Sequence, residues 1–261
     1  MLRLIKKYEN ASDISCVVVL VAFNTYDWIV SCVTSLRKHM PNIDVLVVNN
    51  NPSKKNKERL ASFHGRTVYG TKIGLSDYCE SENAWLEEHQ NEFNLKIIES
   101  PYFMDHGRAI DFAVKNISGY DAFVHIEPDC EIYGTLWFKR LKDKIAQGYW
   151  MASGHFYPSK EPHPTPSIWR IDVFKYLGLS FVAFPRKVFT GQELLFYKIV
   201  DVHRMLKTHQ YYWDTGFYAG YRCSRKYKAS WVDASDFRHY YLGSANKKEW
   251  DVKQKYSVTI L

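Results

Sequence analysis

The apolar positions of this chain follow two periods, and their alternation predicts its architecture. Ile14-Ser-Cys-Val-Val-Val-Leu-Val-Ala-Phe23 is a continuous, β-branched run. Such a run fits a central strand covered on both faces. Asn24-Thr25-Tyr26-Asp27 breaks it and offers helix caps. Trp28, Ile29, Cys32, Val33 and Leu36 then share one helical stripe, which Pro41 ends. Ile43–Val48 is a second buried strand, running into Asn49-Asn50-Asn51-Pro52-Ser53. Strand, helix and strand in close succession predict a right-handed βαβ unit.

The pattern continues through the first half. Lys54 to Gly74 reads as a short basic helix and a small strand at Thr67–Tyr69, and Asp77–Glu92 as an acidic helix. Leu95–Ile98 is a third strand. After a loop from Glu99 to Asp105, His106-Gly107-Arg108 opens a helix with Ala109, Ile110, Ala113, Val114 and Ile117 on one face. Ala122–Ile126 is a fourth strand, and it stops at Glu127-Pro128-Asp129 because Pro128 has no N–H for a sheet ladder. Four strands, each leading to a loop or helix, predict an α/β fold with a mostly parallel sheet.

The second half changes character. Gly134–Ala146 is an amphipathic helix and Tyr149–His155 a strand. Tyr157–Pro166 carries four prolines and reads as a long irregular loop. Leu177–Phe184 is expected to be a strand, Gln192–His209 a helix, and Tyr212-Trp213-Asp214-Thr215-Gly216 the opening of another. Ser230–Val232 is a short strand ahead of Phe237-Arg238-His239. There is no linker, so one domain over 1–261 is expected. Its halves are about 12–132 and about 133–245, followed by a tail at 246–261.

Composition narrows the function classes. The formal net charge is +7, which suits a polyanionic partner such as a nucleoside diphosphate. Basic residues cluster at Lys54–Arg59 and Arg222–Lys228, but neither run has a nucleic-acid-binding signature, so no nucleic-acid partner is expected. The aromatic excess, with 19 Tyr and 8 Trp, exceeds what a core needs and provides faces for sugar rings. Five cysteines without C-x-x-C spacing disfavour a disulfide framework and a zinc site, and favour a reducing compartment. Met1–Asn10 lacks the apolar stretch of a signal peptide, and the longest apolar run is about half a membrane span. A soluble, cytoplasmic protein is expected, with peripheral contact at an anionic membrane compatible with its charge.

Four constellations carry candidate chemistry. Glu127 and Asp129, at i and i+2 around a turn, can both face one hard cation such as Mn²⁺ or Mg²⁺. His106-Gly107-Arg108 combines helix N-terminal amides with a guanidinium, a cradle for a diphosphate; Gly107 allows close backbone approach, and Asp111 one turn on is placed to orient Arg108. Asp214, beside Tyr211, Tyr212 and Trp213, is either a helix cap or a general base in a sugar-binding wall. His239 can complete a metal site begun by carboxylates or bond a phosphate, and His155 and His163 flank the proline-rich loop. There is no G-x-G-x-x-G after the first strand and no G-x-x-x-x-G-K-[ST], G-x-S-x-G or H-E-x-x-H.

In order and spacing these motifs resemble a glycosyltransferase of the GT-A fold, closest to the large family 2 type, from about Ile14 to Ser244. Val-Ala-Phe-Asn24 resembles the family's opening strand, Val47-Val-Asn-Asn-Asn-Pro-Ser53 its V-V-D-N-x-S strand, and His106-Gly-Arg-Ala-Ile-Asp111 its H-G-x-x-L-D donor-binding helix start. Glu127-Pro-Asp129 resembles its D-x-D motif, and Trp213-Asp-Thr-Gly216 stands where the acceptor-side motif supplies the catalytic Asp. The chain departs from the family at Asn49, which replaces Asp, at Glu127, which replaces the first Asp of D-x-D, and at Asp-Thr-Gly in place of a Glu-Asp pair.

The resemblance implies transfer of a sugar from a nucleoside diphosphate sugar, a UDP-sugar above all, to a hydroxyl of a glycan or other acceptor, with inversion. It implies Asp214 as base, donor contacts from Ala22, Phe23, Asn24, Asn49, Asn50, His106, Arg108, Asp111, Glu127, Pro128 and Asp129, and acceptor contacts from His163, Tyr212 and Trp213. It also implies a divalent metal on Asp129, Glu127 and His239. A nucleotidyltransferase, which lacks its usual Gly-rich loop here, and an inactive sugar- or nucleotide-binding module are the alternatives.

Overall fold

A computed structural model describes residues 6–53, 67–68, 71–72, 77–155, 162–182, 215–226 and 228–240. The expected helices after Lys54 and at Gln192–His209 lie outside these residues, as do Tyr212, Trp213 and Asp214.

In chain order the elements are β1 (Cys16–Ala22), α1 (Tyr26–His39), β2 (Asp44–Asn49), the two-residue strands β3 (Thr67–Val68) and β4 (Thr71–Lys72), α2 (Asp77–His89) and β5 (Leu95–Glu99). Next come α3 (His106–Asn116), β6 (Ala122–His125), β7 (Cys130–Ile132), α4 (Leu136–Ala146) and β8 (Met151–Ser153). The last described are β9 (Ser167–Arg170), α5 (Ile171–Tyr176), α6 (Phe217–Arg225), β10 (Ala229–Trp231) and β11 (Phe237–His239).

Seven strands form the main sheet in the order β10-β8-β9-β6-β1-β2-β5. The predicted four-strand block is present: β5, β2, β1 and β6 are all parallel. Only β9 runs against its neighbours β6 and β8. The fold is therefore α/β with a mostly parallel central sheet.

β1 is buried at every position, as its unbroken apolar run requires. Its side chains alternate between two cores. Val18, Leu20 and Ala22 pack with Ile29, Cys32, Val33 and Leu36 of α1 and Trp137, Leu141 and Ile145 of α4. Val17, Val19 and Val21 pack on the other face with Ala109, Ile110, Ala113 and Val114 of α3 and with Phe174 and Phe181. Residues from both sides of Asp129 contribute to each core.

The strand order creates a switch point. From β1 the chain winds outward through β2 to β5, then returns to lay β6 on the other side of β1. The loops leaving β1 and β6 diverge there, which opens a crevice beyond the carboxyl ends of the strands. Glu127-Pro128-Asp129 leaves β6 into it.

One expectation is corrected. Leu177–Phe184 is not a strand over its described part: Leu177 and Gly178 form the turn closing α5, with Gly178 at φ 57°. Leu179 and Phe181 fill the second core from an irregular segment instead. The strand lies earlier, at Ser167–Arg170, directly after Pro166. Its four residues are too few to show a period beside a proline-rich loop. The residues after Asp129, for which the sequence pattern names no element, form β7 and pair antiparallel with β11.

Asp236 holds this β7–β11 ribbon to the body. Thr135 supplies no side-chain cap to α4. Asp236 does so from a hundred residues away, accepting from Leu136 N at 2.6 Å and Trp137 N at 2.9 Å. Its own carbonyl accepts from Tyr133 N at 2.9 Å. Asp236→Ala is expected to cost about 1–2 kcal/mol of unfolding free energy through the lost cap, read as a lower urea midpoint at unchanged m-value. Asp236→Asn, which keeps an acceptor, should recover most of it.

Candidate active site at the switch point

β6 ends at His125, and Ile126 and Pro128 are buried on either side of Glu127. The chain is anchored on both flanks of the turn: Ile126 N donates to Val19 O, and Tyr240 N donates to Asp129 O at 3.0 Å. β7 pairs Cys130 with His239 in register. The consequence is a junction between residues far apart in sequence. His239 Nε2 lies 2.7 Å from Glu127 Oε2 and 3.3 Å from Asp129 Oδ1. Asp129 and His239 are buried, and the Glu127 side chain is 20% exposed.

The electrostatics follow from that contact. Burial opposes the charged imidazolium of His239, but the Glu127 charge and bonds to Asp129 and Glu127 outweigh it and push its pKa up to about 10. Burial also works to raise the Glu127 carboxyl, and His239 overrides it, holding it well below the usual carboxylate range. Asp129 brings a second buried carboxyl group to the same imidazole, so acidic groups outnumber basic ones in this contact.

That imbalance is what a divalent cation would relieve. Atoms of Asp129, Cys130 and His239 lie within 4.8 Å of one another, and Glu127 adjoins them. Two carboxylates and an imidazole suit Mn²⁺ better than Mg²⁺, which prefers all-oxygen shells. Cys130 fits less well. Burial, with the Asp129 charge, raises its thiol well above the ordinary range, and it packs in the apolar core.

Three more histidines surround the cluster. The His163 ring centroid is 5.3 Å from that of His239, so His163 stands against the candidate metal ligands. Its Nδ1 lies 2.9 Å from Thr165 O and 3.1 Å from Thr165 N, which hold the ring in place. His155 stacks 6.4 Å from His239, and burial with the His163 and His239 charges pushes its pKa down to about 4. His125, wholly buried, is pushed down to about 3 by burial and the His106 charge.

The β1 and β2 exits form a closed polar network. Asn24, at φ 54°, donates its N–H to Asn51 Oδ1 at 2.7 Å. Thr25 Oγ1 and Asn51 Nδ2 both donate to the buried carboxyl of Glu82, whose pKa burial raises against those bonds. Asn49 donates to Asn83 and Glu99 and accepts from Asn51. Asn50 is bonded twice to the Met104 backbone, at 2.8 and 3.0 Å. Both asparagines are buried within this network. Ala22 is buried at the strand end, and the Phe23 ring packs on Phe103 at 5.0 Å. Asn51, Glu82 and Asn83 were missed in sequence because nothing local links them.

The helix start also differs in detail. Asp105 caps α3 by accepting from Arg108 N at 2.9 Å, and its other oxygen lies 3.2 Å from Arg108 Nε. Asp105, not Asp111, therefore orients the exposed Arg108. Asp111 instead accepts from Ser180 Oγ at 2.5 Å and Phe181 N at 2.8 Å, while burial lifts its pKa to about 6. Gly107 serves this same segment: a Cβ there would sit 2.4 Å from Phe181 O. Its close approach is to protein backbone rather than to a ligand. Phe181 O in turn accepts from Gly216 N at 2.8 Å, and the Phe181 ring contacts His125 at 5.4 Å. Thr215–Gly216, the described part of the Asp214 motif, is thus moored beside β6.

Comparison with known proteins adds the following. No family model and no curated protein matches the chain. Among solved structures it is similar to a mannosyltransferase, PcManGT from Pyrobaculum calidifontis in complex with GDP-Man and Mn²⁺, with TM-score 0.45 and 11% identity over 68% of this chain and 50% of that one. It is similar also to S. aureus TarS 1–349 in complex with UDP-GlcNAc, with TM-score 0.43 and 15% identity over 64% and 48%. GalNAc-T7 with UDP, GalNAc and Mn²⁺ gives TM-score 0.45 and 10% identity over 64% and 37%. The chain spans half or less of the length of these proteins.

The His239 contact sets a pH dependence. Its pKa is raised on folding, so its pairing contributes fully below about 6.5 and is lost as pH rises toward about 10. Glu127 is depressed, so its share persists throughout that window. In the metal-free protein, unfolding free energy is expected to decline from about pH 6.5 upward. His239→Gln should flatten that slope in denaturant titrations at stepped pH. A slope unchanged in the variant would show that His239 is not its source.

Proposed function

We propose that the chain is a GT-A-type glycosyltransferase that moves a hexosyl or pentosyl group from a nucleoside diphosphate sugar, a UDP-sugar above all, to an acceptor hydroxyl. The observation that carries this reading is the meeting of Glu127, Asp129 and His239 at the carboxyl ends of parallel strands, at the sheet's switch point. Adjoining buried carboxyl groups beside an imidazole are suited to holding a cation that bridges to a diphosphate.

In this reading Asp129, Glu127 and His239 hold a divalent cation, Mn²⁺ or Mg²⁺. When bound, the cation supplies charge neutralisation for the departing diphosphate. Arg108, exposed at the start of α3, supplies a second positive charge on the donor side. Asp214 takes the proton of the acceptor hydroxyl. The acceptor oxygen then bonds to the anomeric carbon as the bond to the diphosphate oxygen breaks, with inversion. His163, Tyr212 and Trp213 line the acceptor side. The acceptor is a glycan or glycoconjugate, and the domain works as one unit over 1–261. No helix among the described residues is long and apolar enough to cross a membrane.

Thermal stabilisation by UDP-, GDP- and dTDP-sugars with and without Mn²⁺ tests the reading, because ligands of the native state raise stability by mass action. At a hundredfold excess over Kd the gain is about 2.7 kcal/mol. No shift with any donor would count against it. Asp129→Ala is expected to remove the Mn²⁺-dependent part of the shift. Asp214→Asn should keep donor binding and lose turnover, about 10²–10⁴-fold for a missing general base. A fully active Asp214→Asn would assign the base elsewhere.

A further inference from the structure

Cys79, Glu82, Asn83 and Leu86 follow helical spacing on the buried face of α2, and Glu82 puts a carboxyl group where an apolar side chain would continue the stripe. A buried carboxyl group is costly unless hydrogen bonds compensate it. Those of Glu82 reach the exits of two strands. Thr25 Oγ1 donates to its Oε1 at 2.6 Å, Thr25 N to its Oε2 at 3.2 Å, and Asn51 Nδ2 to its Oε2 at 2.7 Å. Asn51 relays the tether, because its Oδ1 accepts from Asn24 N at 2.7 Å. One side chain of α2 therefore fastens the β1 exit to the β2 exit. Two local preferences give way at the same place. Asn24 lies at φ 54°, a region that residues other than glycine adopt at a cost. Thr25 immediately precedes α1 yet makes no side-chain cap; its hydroxyl is committed to Glu82 instead. The β1 exit is one of the two loops that diverge to open the crevice at the switch point. Local preferences that yield together at such a rim mark a conformation held for the site rather than for the stability of its own element.

We propose that Glu82 is a positioning residue for donor binding, holding Phe23, Asn24 and Thr25 at the β1 exit in the conformation that forms one wall of the crevice. The inference rests on the donor-binding reading of that crevice. Glu82 is fully buried, so it acts through Asn24 and Thr25 rather than by touching a ligand. What it supplies is preorganisation: a wall that is already ordered does not have to be ordered by the donor. Each backbone residue that the donor must order for itself weakens binding about tenfold.

Two measurements on the full chain test this. The first is calorimetric binding of UDP, UDP-glucose, UDP-N-acetylglucosamine and GDP-mannose with Mn²⁺, well below the unfolding midpoint of each variant. Glu82→Met keeps the length and bulk of the side chain without its bonds, and should weaken binding about ten- to hundredfold. Glu82→Gln, which keeps an acceptor oxygen at the same reach, should recover most of the loss. Thr25→Val removes one bond to Glu82 and leaves α2 untouched, so a smaller loss in the same direction is expected. The second measurement is native-state hydrogen exchange. The Asn24 and Thr25 amides should lose protection in Glu82→Met and regain it in Glu82→Gln. A merely stabilising Glu82 would lower the unfolding midpoint of Glu82→Met and leave donor affinity at low temperature unchanged, which overturns the proposal. Where Glu82→Met does not fold, unchanged affinity in Thr25→Val overturns it. Weaker binding with both amides still protected overturns it as well. Failure of every donor to bind the unmodified protein defeats the transferase reading and this inference together. Donor binding that the variants leave unchanged defeats this inference alone.

Discussion

Two carboxylates and an imidazole are withdrawn from water together at the end of β6, and much of the structure is arranged so that they can be. A lone buried carboxylate would be forced to protonate. Here Glu127 and Asp129 share His239, with ion-pair separations of 2.7 and 3.3 Å. Truncating one member of such a buried group leaves the others uncompensated, so the cluster acts as a unit. Its contact also joins the middle of the chain to its last described residues, because no local element brings residue 239 to residue 127. The β7–β11 register does so, and Asp236 fixes that register to the first turn of α4.

A second set of tethers serves the opposite wall of the crevice. The segment at Ser180–Val182 is not part of the sheet, yet it is held at three points. Asp111 takes Phe181 N, Gly107 leaves the room its carbonyl needs, and Gly216 donates to that carbonyl. Gly216 is at φ 77°, a conformation that a side chain would strain. The second half of the chain is thereby moored to α3, and the expected diphosphate cradle becomes partly a packing device. A glycine at a helix start admits either a ligand or a neighbouring backbone, and sequence alone does not distinguish them.

The parts of the fold legible in the sequence are those specified by local period. β1, α1, β2, β5, α3 and β6 each carry an unbroken or helical apolar pattern, and each lies where that pattern placed it. β7, β9 and β11 have three or four residues each, too few to show a period, and their existence depends on partners distant in the chain. The candidate site divides the same way. Glu127 and Asp129 were visible because a proline between two acids ends a buried strand. His239 was visible only as one histidine among ten, and its contact with Glu127 required the ribbon. Asn49 and Asn50 stand in sequence only as the exit of a buried strand, and the network that ties β2 to α2 and to Met104 depends on partners distant in the chain. Asp105 displaced Asp111 as the partner of Arg108 because it is the cap, three residues before Arg108, where one carboxylate can serve both backbone and guanidinium.

The histidines show how one small region separates the charges of chemically identical groups. His106, His125, His155, His163 and His239 gather at this end of the sheet, and they cannot all be cations, since like charges in low dielectric repel strongly. The carboxylates select one. His239, touching both, is held charged, with its pKa up to about 10, while its stacked neighbour His155 is driven down to about 4 and His125 to about 3. Backbone groups hold two of these rings in place: Pro164 O lies 3.0 Å from His125 Nδ1, and the Thr165 N and O both approach His163 Nδ1. Glu127 and Asp129 both face that imidazolium, so a divalent cation, if the proposed chemistry uses one, would meet acidic groups that the fold has already gathered.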